Sequence, residues 1–435
     1  MKDDSRKIEI GDTFISLTDN KNYINDAINR GASKIICKND TYSVNTINVD
    51  NPREYLAEYL DKIYRDKFNI IKIIGITGTN GKTTSSYLLW QILNKLGIKC
   101  GYIGTIGFYI EEKIRDLSNT TPDMLDIYNM INECIDKGCK YVVMEVSSQA
   151  LSYNRIGRLE FDYVVFTNLT EDHLDYHKNM DNYAKAKQKL FYCVKNKAII
   201  NYDDGNKSYF IFDINDNVTY GFDGGDYHIT EYSLGSLTKF KLNNELYITN
   251  LIGKYNIYNL LISIIILDLE NINYDKAIFR YLKYPDGRMD IIEYKNNRVI
   301  IDYAHTPDGV KNVIDAVKEL NPNNIITIIG CGGNRDVSKR SIMGTISTRL
   351  SDYVIFTDDN PRYENELSII DDIIQNIDTD NYEIITNREK AIIKGIQMLS
   401  ENDILLVLGK GHENYQIIGD NKIPFSDKEI VLKNM

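Results

Sequence analysis

The chain has 435 residues, 43% hydrophobic and 26% charged, the composition of an ordinary globular protein with room for two or three domains. Asp and Glu (62) outnumber Lys and Arg (51), giving a net charge of -11; with no basic stripe interleaved with aromatics, this argues against a nucleic-acid partner. The six cysteines (Cys37, Cys100, Cys134, Cys139, Cys193, Cys331) are scattered without a C-x-x-C pair, which fits free thiols in a reducing compartment rather than a disulfide frame or a zinc site.

The N-terminal MKDDSRKIEIGD is polar and has no signal-peptide core, and the most apolar run, Leu260 to Leu267, is too short to span a bilayer. No membrane insertion and a cytoplasmic location are expected. In chain order, Thr13 to Leu17 reads as a strand, Tyr23 to Arg30 as a helix closed by Gly31, and Lys34 to Cys37 as a second strand. A helix over Arg53 to Arg65 leads out of this small β-α-β unit.

Ile71, Ile73, Ile74 and Ile76 then form a β-branched run typical of a buried strand. Gly75, Gly78 and Gly81 follow, then Lys82-Thr83-Thr84 and an apolar helix, Tyr87 to Leu93. Strand, glycine-rich turn and helix start are the physical recipe for holding a triphosphate, because backbone N–H groups curl around the phosphates and the helix N-terminus adds positive charge. Gly78, Thr79, Asn80, Gly81, Lys82, Thr83 and Thr84 are the ATP-binding candidates; Lys82 reaches toward the β/γ-phosphates, and Thr83 offers a hydroxyl to Mg²⁺. The spacing departs from strict G-x-x-x-x-G-K-T, since Ile76 stands five before Gly81.

Tyr141 to Val146 is an apolar strand with Glu145 close to its C-terminal end, where ligands of open α/β sheets bind. A second such strand, Tyr163 to Asn168, runs into Leu169-Thr170-Glu171-Asp172-His173-Leu174-Asp175-Tyr176-His177, which places two histidines beside three carboxylates. A helix is predicted over Asn182 to Val194, a β-rich stretch to about Asn250, and an apolar helix from about Leu251. A boundary falls near Pro285-Asp286-Gly287-Arg288. Beyond it, Val299 to Tyr303, Ile325 to Ile329, Tyr353 to Thr357 and Asp403 to Leu408 read as strands of a second doubly wound α/β sheet, with a helix over Pro307 to Leu320.

GITGTNGKTT, TTPD, MEVSSQAL, FTNLTEDHLDYH, the Lys187–Phe191 segment, GKYNIYN, GRMD, DYAHTPD, GCGGNRD, TDDNPR and GKGHENYQ, in that order from residue 75 to 416, resemble the motifs of the Mur ligases. Within that family they are similar to the branch that adds the third amino acid of the peptidoglycan stem peptide. The resemblance implies an α/β fold of three domains: a short UDP-MurNAc-binding unit (1–69), a central P-loop ATPase (70–287) and a C-terminal Rossmann-like amino-acid domain (288–435). It implies an ATP-dependent, ADP-forming amide ligase, expected to be a monomer, that activates UDP-MurNAc-L-Ala-D-Glu as an acyl phosphate and joins it to meso-diaminopimelate. Phosphoryl transfer of this kind needs mainly positioning and positive charge.

The same resemblance implies roles. Lys82, Glu145, His173 and Lys187 form the catalytic set. Thr83, Glu145, His173 and Lys187, the last as a carbamate, are the implied ligands of two Mg²⁺ ions; a solvated helix face is the plainer reading of alternating Lys185, Lys187 and Lys189. Asn256, Asn259, Arg288, Asp302 and His305 belong to the nucleotide side. Ser5, Thr120, Thr121, Ser147 and Arg155 are implied for the UDP-MurNAc-dipeptide, and Arg335, Asp359, Asn360, Pro361, Arg362, Gly409 and Glu413 for the amino acid.

Meso-diaminopimelate carries a second carboxylate at its far end, which Arg362 can grip bidentately. L-lysine offers an ammonium there, and an unpaired buried partner costs roughly 3–5 kcal/mol. The plainer alternative pairs Arg362 with Glu364 in a surface loop. Three features depart from the family: Gln149 in place of His, Asn334 in place of Asp, and a short N-terminal unit. Gln149 puts the hydrogen bonding near Glu145 in doubt, and the short unit leaves open weaker nucleotide-sugar binding or a paralogous ligase with another acceptor. The rival readings are the same ligase adding L-lysine, a ligase of the folylpolyglutamate-synthetase or cyanophycin-synthetase type, and a nucleotide-binding regulatory protein with a decayed site.

Overall fold

The computed structural model describes residues 1–212 and 216–435. Strands β1 (Thr13–Ile15), β2 (Lys34–Cys37) and β3 (Asn45–Asn48) form a parallel three-stranded sheet. Its core is Phe14, Ile24, Ala27, Ile35 and Cys37. The sequence did not announce β3, because Asn45-Thr46-Ile47-Asn48 is a largely polar edge with no buried residue to set an alternation. The next helix, Pro52–Phe68, starts as predicted from its composition: Asn51 accepts from the N–H groups of Arg53 and Glu54, and Pro52 fills the first position.

The following strands are β4 (Lys72–Thr77), β5 (Cys100–Gly104), β6 (Gly107–Tyr109), β7 (Lys113–Arg115), β8 (Tyr141–Glu145), β9 (Phe161–Phe166), β10 (Val194–Asn201), β11 (Asp216–Gly221), β12 (Tyr227–Ser233), β13 (Thr238–Leu242) and β14 (Glu245–Thr249). After them come β15 (Asp290–Tyr294), β16 (Asn297–Asp302), β17 (Ile325–Ile329), β18 (Tyr353–Phe356), β19 (Tyr382–Ile384), β20 (Ile404–Leu408), β21 (Tyr415–Ile418) and β22 (Asn421–Pro424).

The chain forms two compact units. One comprises Met1–Gly75, Ile98–Val164 and Ala186–Lys197; the other comprises Ile76–Gly97, Val165–Lys185 and Ala198–Met435. In the first, beside the β1-β2-β3 sheet, β8-β5-β6-β7 lie side by side, with β8 and β5 parallel and fully buried. In the second, β11 to β14 follow one another in order, and a six-stranded sheet runs β15-β16-β20-β17-β18-β19.

In this last sheet β17 and β20 are buried at every position, the signature of parallel strands covered on both faces. Its register aligns strand ends: Asp302 pairs with Leu408 and Ile329 with Phe356. The loops that follow β16, β17, β18 and β20 therefore leave from one edge, which is where α/β sheets bind ligands.

Helix Lys254–Leu269 is apolar on all sides and buried along most of its length, as a core helix must be. The helix predicted over Asn182 to Val194 is shorter. It spans Met180–Gln188, tightens into a 3-10 turn at Lys189–Cys193 that buries Leu190 and Phe191, and gives way to β10 at Val194.

Candidate functional site

Gly78, at the end of β4, cannot be replaced without movement: a Cβ there would lie 1.8 Å from Thr167 Oγ1. Gly81 has φ +87° and caps helix Lys82–Lys95 without a side-chain cap bond, at a glycine-rich helix start of the kind that receives phosphate. Thr167 and Asn168, just past β9, clamp the loop. Thr167 Oγ1 donates to Asn80 O at 2.6 Å, Asn168 Nδ2 to the same oxygen at 3.1 Å, and Asn80 N to Asn168 Oδ1 at 2.9 Å. Lys82 Nζ folds over this ring and donates to Gly78 O and Thr79 O, both at 2.9 Å. Thr83 and Thr84 are buried in the helix start. A glycine cradle under a lysine at an uncapped helix start fits a polyphosphate.

Beside the loop is a cavity of about 350 Å³. Asn80, Gly81, Thr84, Asn256, Asn259, Arg288, Asp302 and His305, eight of the sequence-derived nucleotide residues, line it together. Asn259 Nδ2 donates to Asn256 Oδ1 at 2.9 Å, and Ser85 Oγ donates to Asn259 Oδ1, which ties the cavity wall to the loop helix. Arg288 lies over the Tyr303 ring at 4.5 Å, and its buried Nε–H has no protein partner, a donor suited to an anionic ligand. Asp302 accepts from Met289 N (2.7 Å) and Ala304 N (2.8 Å); burial raises its pKa against the pull of Arg288.

His305 Nδ1 lies 2.8 Å from Tyr303 O; since a carbonyl only accepts, the proton sits on Nδ1 and Nε2 is left to accept. Burial and the Lys339 ammonium push its pKa down to about 4. Sequence reasoning missed Asp308, Tyr258, Asp203 and Tyr303, which also line the cavity. Asp308 and Tyr303 stood inside a motif already quoted, DYAHTPD, and Tyr258 inside GKYNIYN; Asp203 carried no signal of its own.

His173 is 44% exposed, with Nε2 3.3 Å from Asp172 Oδ2. Burial raises the Asp172 pKa, but His173, His305 and Lys339 (3.7 Å away) outweigh it and hold the carboxyl at about 2. His177 is buried against Tyr176 and Tyr183, a packing role. Among the described residues no group of three His, Cys, Asp or Glu side chains forms a metal cage. Mg²⁺ does not need one, because it keeps waters and takes only one or two carboxylates together with substrate phosphates.

In the first unit, Glu145 is fully buried and triply bonded: Oε1 accepts from Tyr102 OH (2.6 Å) and Thr105 N (2.8 Å), and Oε2 from Thr105 Oγ1 (3.0 Å). None of these three partners is residue 149. Around it, Thr120 Oγ1 meets Thr105 Oγ1, Thr121 Oγ1 donates to Glu145 O, Ser147 N donates to Thr121 Oγ1, and Arg155 donates to Thr121 O. Four of the five proposed glycopeptide residues thus form one cluster. The fifth, Ser5, sits in a 3-10 turn and bonds Asp26. Lys187, on the last turn of its helix, is 1% exposed, so the solvated-face reading does not hold for it, whereas Lys185 is exposed and pairs with Asp181.

The amino-acid candidates gather where β17, β18 and β20 end. Asn360 Nδ2 donates to Glu413 Oε2 at 2.9 Å, and a Cβ on Gly409 would lie 2.8 Å from Asp359 Oδ2. Arg362, in a left-handed conformation (φ +54°), donates to Gly333 O at 2.8 Å. Burial and the nearby Arg335 guanidinium lower its pKa. Glu364 pairs with Arg340 at 2.8 Å, and Arg362 adds a smaller electrostatic pull on the same carboxylate without an ion pair between them. Asn334 has φ +50° and accepts from Tyr363 N, a conformation that Asn tolerates well.

Residues 76–267 match the Mur ligase middle domain and residues 287–411 the Mur ligase glutamate ligase domain. The chain belongs to the Mur ligase family. It is 40% identical over 447 residues to the UDP-N-acetylmuramoyl-L-alanyl-D-glutamate--2,6-diaminopimelate ligase 1 of Clostridium acetobutylicum, covering 98% of this chain and 92% of that one. A solved UDP-N-acetylmuramoyl-L-alanyl-D-glutamate--2,6-diaminopimelate ligase matches with TM-score 0.68 and 29% identity over 100% of this chain and 93% of that chain. MurF ligase from Thermotoga maritima, solved with ADP, matches with TM-score 0.70 over 99% and 95% of the two chains; at 16% identity it speaks to the fold alone. The α/β Mur ligase fold expected from the motifs is the fold observed. No helix among the described residues is long and apolar enough to cross a membrane.

Proposed function

We propose that this Mur ligase joins meso-2,6-diaminopimelate to UDP-MurNAc-L-Ala-D-Glu at the expense of ATP. Its working parts are residues 1–69 for the UDP end, 70–287 for ATP and 288–435 for the amino acid, and it acts as a cytoplasmic monomer. The observation that carries the reading is the convergence of Asp359, Asn360, Arg362, Gly409 and Glu413 at one sheet edge, with the Arg335 guanidinium close enough to add to burial in lowering the Arg362 pKa. A distal carboxylate relieves that repulsion; the distal ammonium of L-lysine adds to it.

In this reading the loop from Gly78 to Thr84 holds the phosphates, and Lys82 exchanges its two carbonyl bonds for phosphate oxygens. Asn256, Asn259, Arg288, Asp302 and His305 orient the rest of the nucleotide. Thr83, Glu145, His173 and carbamylated Lys187 hold or orient two Mg²⁺ ions, which supply charge neutralisation to the phosphoryl group when bound. The burial of Lys187 supports the carbamate reading, because a lysine is rarely buried without a fixed role. Thr120, Thr121, Ser147, Arg155 and Ser5 hold the nucleotide-linked dipeptide. Its carboxylate takes the γ-phosphoryl group, the amine of the diaminopimelate attacks the acyl phosphate, and an amide, ADP and phosphate result.

The experiment is mass analysis of the nucleotide product after incubation with ATP, Mg²⁺, UDP-MurNAc-L-Ala-D-Glu and meso-diaminopimelate. A product heavier by one diaminopimelate less one water is expected. An unchanged nucleotide overturns the reading.

A further inference from the structure

Lys410 lies between the two residues of its loop, Gly409 and Glu413, that the amino-acid reading uses, and has no role in that reading. Its side chain is 0% exposed, and lysine is rarely buried without fixed partners. Nζ donates to Asn360 Oδ1 and to Glu413 Oε2, both at 3.1 Å. Asn360 Nδ2 donates to the same Glu413 oxygen, so the three side chains close a ring. The ring is braced from outside: Asn360 Oδ1 also accepts from Ile417 N at 2.9 Å, and Glu413 N donates to Lys410 O at 2.9 Å. Tyr415 adds a hydrogen bond to the Glu413 carboxylate.

The chemistry of such a ring is orientation. An amide can present oxygen or nitrogen, and a carboxylate on a flexible stem can point several ways. A buried ammonium only donates, so it meets oxygens and fixes Asn360 with Oδ1 inward and Glu413 with Oε2 inward. We propose that Lys410 is a positioning residue for the amino-acid substrate, acting through Glu413 and Asn360 to present a carboxylate to the distal ammonium of the diaminopimelate. This rests on the reading of Asp359–Arg362 and Glu413 as the amino-acid site.

The test is steady-state kinetics of Lys410→Met in the native chain and in a Glu413→Gln background, varying meso-diaminopimelate and ATP separately. In the native chain the KM for meso-diaminopimelate is expected to rise at least tenfold while the KM for ATP moves less than twofold. In the Glu413→Gln background, adding Lys410→Met is expected to raise the KM for meso-diaminopimelate much less than in the native chain, because the carboxylate is gone and only the hold on Asn360 remains. That background also removes the carboxylate which Lys410→Met strands, so the comparison stands even if the single variant does not fold. An unchanged KM in the single variant, or an equal rise in both backgrounds, overturns the role of Lys410. A native chain that turns over no meso-diaminopimelate overturns the amino-acid reading instead.

Discussion

Asn80 Nδ2 donates to Asp308 Oδ2 at 3.0 Å, joining the phosphate loop to the first turn of helix Pro307–Lys318 across 228 residues of sequence. Thr306 caps that helix through Gly309 N, so the carboxylate sits on a fixed turn. A nucleotide in the cavity touches both sides of this bond. Asp308→Ala is expected to lower kcat/KM for ATP about tenfold, or ~1.4 kcal/mol. Asp308→Asn, which keeps an acceptor for Asn80, is expected to retain most of the activity; equal loss in both variants would show that the bond is not what matters.

Gly78→Ala places a methyl group against Thr167 Oγ1, whose own bond to Asn80 O holds the loop. Loss of ATP binding of at least a hundredfold is expected by calorimetry, with the far-ultraviolet circular dichroism unchanged. Native-like affinity would mean that the loop has slack the structure does not contain.

The pH dependence of stability follows from His305. Its pKa falls from 6.5 to about 4 on folding, through burial and Lys339. Between these values the unfolded chain binds a proton that the folded chain refuses, so stability rises with pH across the window and is lost as pH falls from about 6.5 toward 4. The contribution is at most ~3 kcal/mol. Melting temperatures measured from pH 4 to 7 are expected to climb less steeply in His305→Asn than in the native chain; an identical slope would contradict the assignment.

Arg388 and Asp427 form a pair in which both side chains are 0% exposed, at 2.7 Å. Arg388 also donates to Leu408 O and Asp358 O, the ends of β20 and of the segment after β18. Removing one partner strands the other in the core, at ~3–5 kcal/mol. Asp427→Ala is therefore expected to lower the denaturation midpoint sharply and to raise the KM for the amino acid, since the two loops it anchors carry Asp359 and Gly409. A neutral effect on both would remove Arg388 from the support of the site.

Much of this was legible in the sequence because the informative residues sit on short, strongly patterned stretches. Ile325 to Ile329 reads as a buried parallel strand from its apolar run alone, and GITGTNGKTT locates the phosphate loop. What was not legible depends on partners distant in the chain. Nothing near Asp203 foretells that Tyr258 will donate to it at 2.5 Å beside the nucleotide cavity, and nothing near Lys339 foretells Asp172. The edge strand β3 is hidden by its polar composition, and the early end of the Met180–Gln188 helix by apolar residues, Leu190 and Phe191, that serve a 3-10 turn as well as they would a helix.

The central claim is the amino acid. The measurement that tests it is phosphate release from ATP with Mg²⁺ and UDP-MurNAc-L-Ala-D-Glu, with meso-diaminopimelate or L-lysine as acceptor, for the native chain and Arg362→Ala. Release with meso-diaminopimelate and at least a hundredfold less with L-lysine is expected, a difference of ~3 kcal/mol, with most of that preference lost in Arg362→Ala. Release with L-lysine alone would contradict the part given to Arg362, and release with neither would contradict the ligase reading itself.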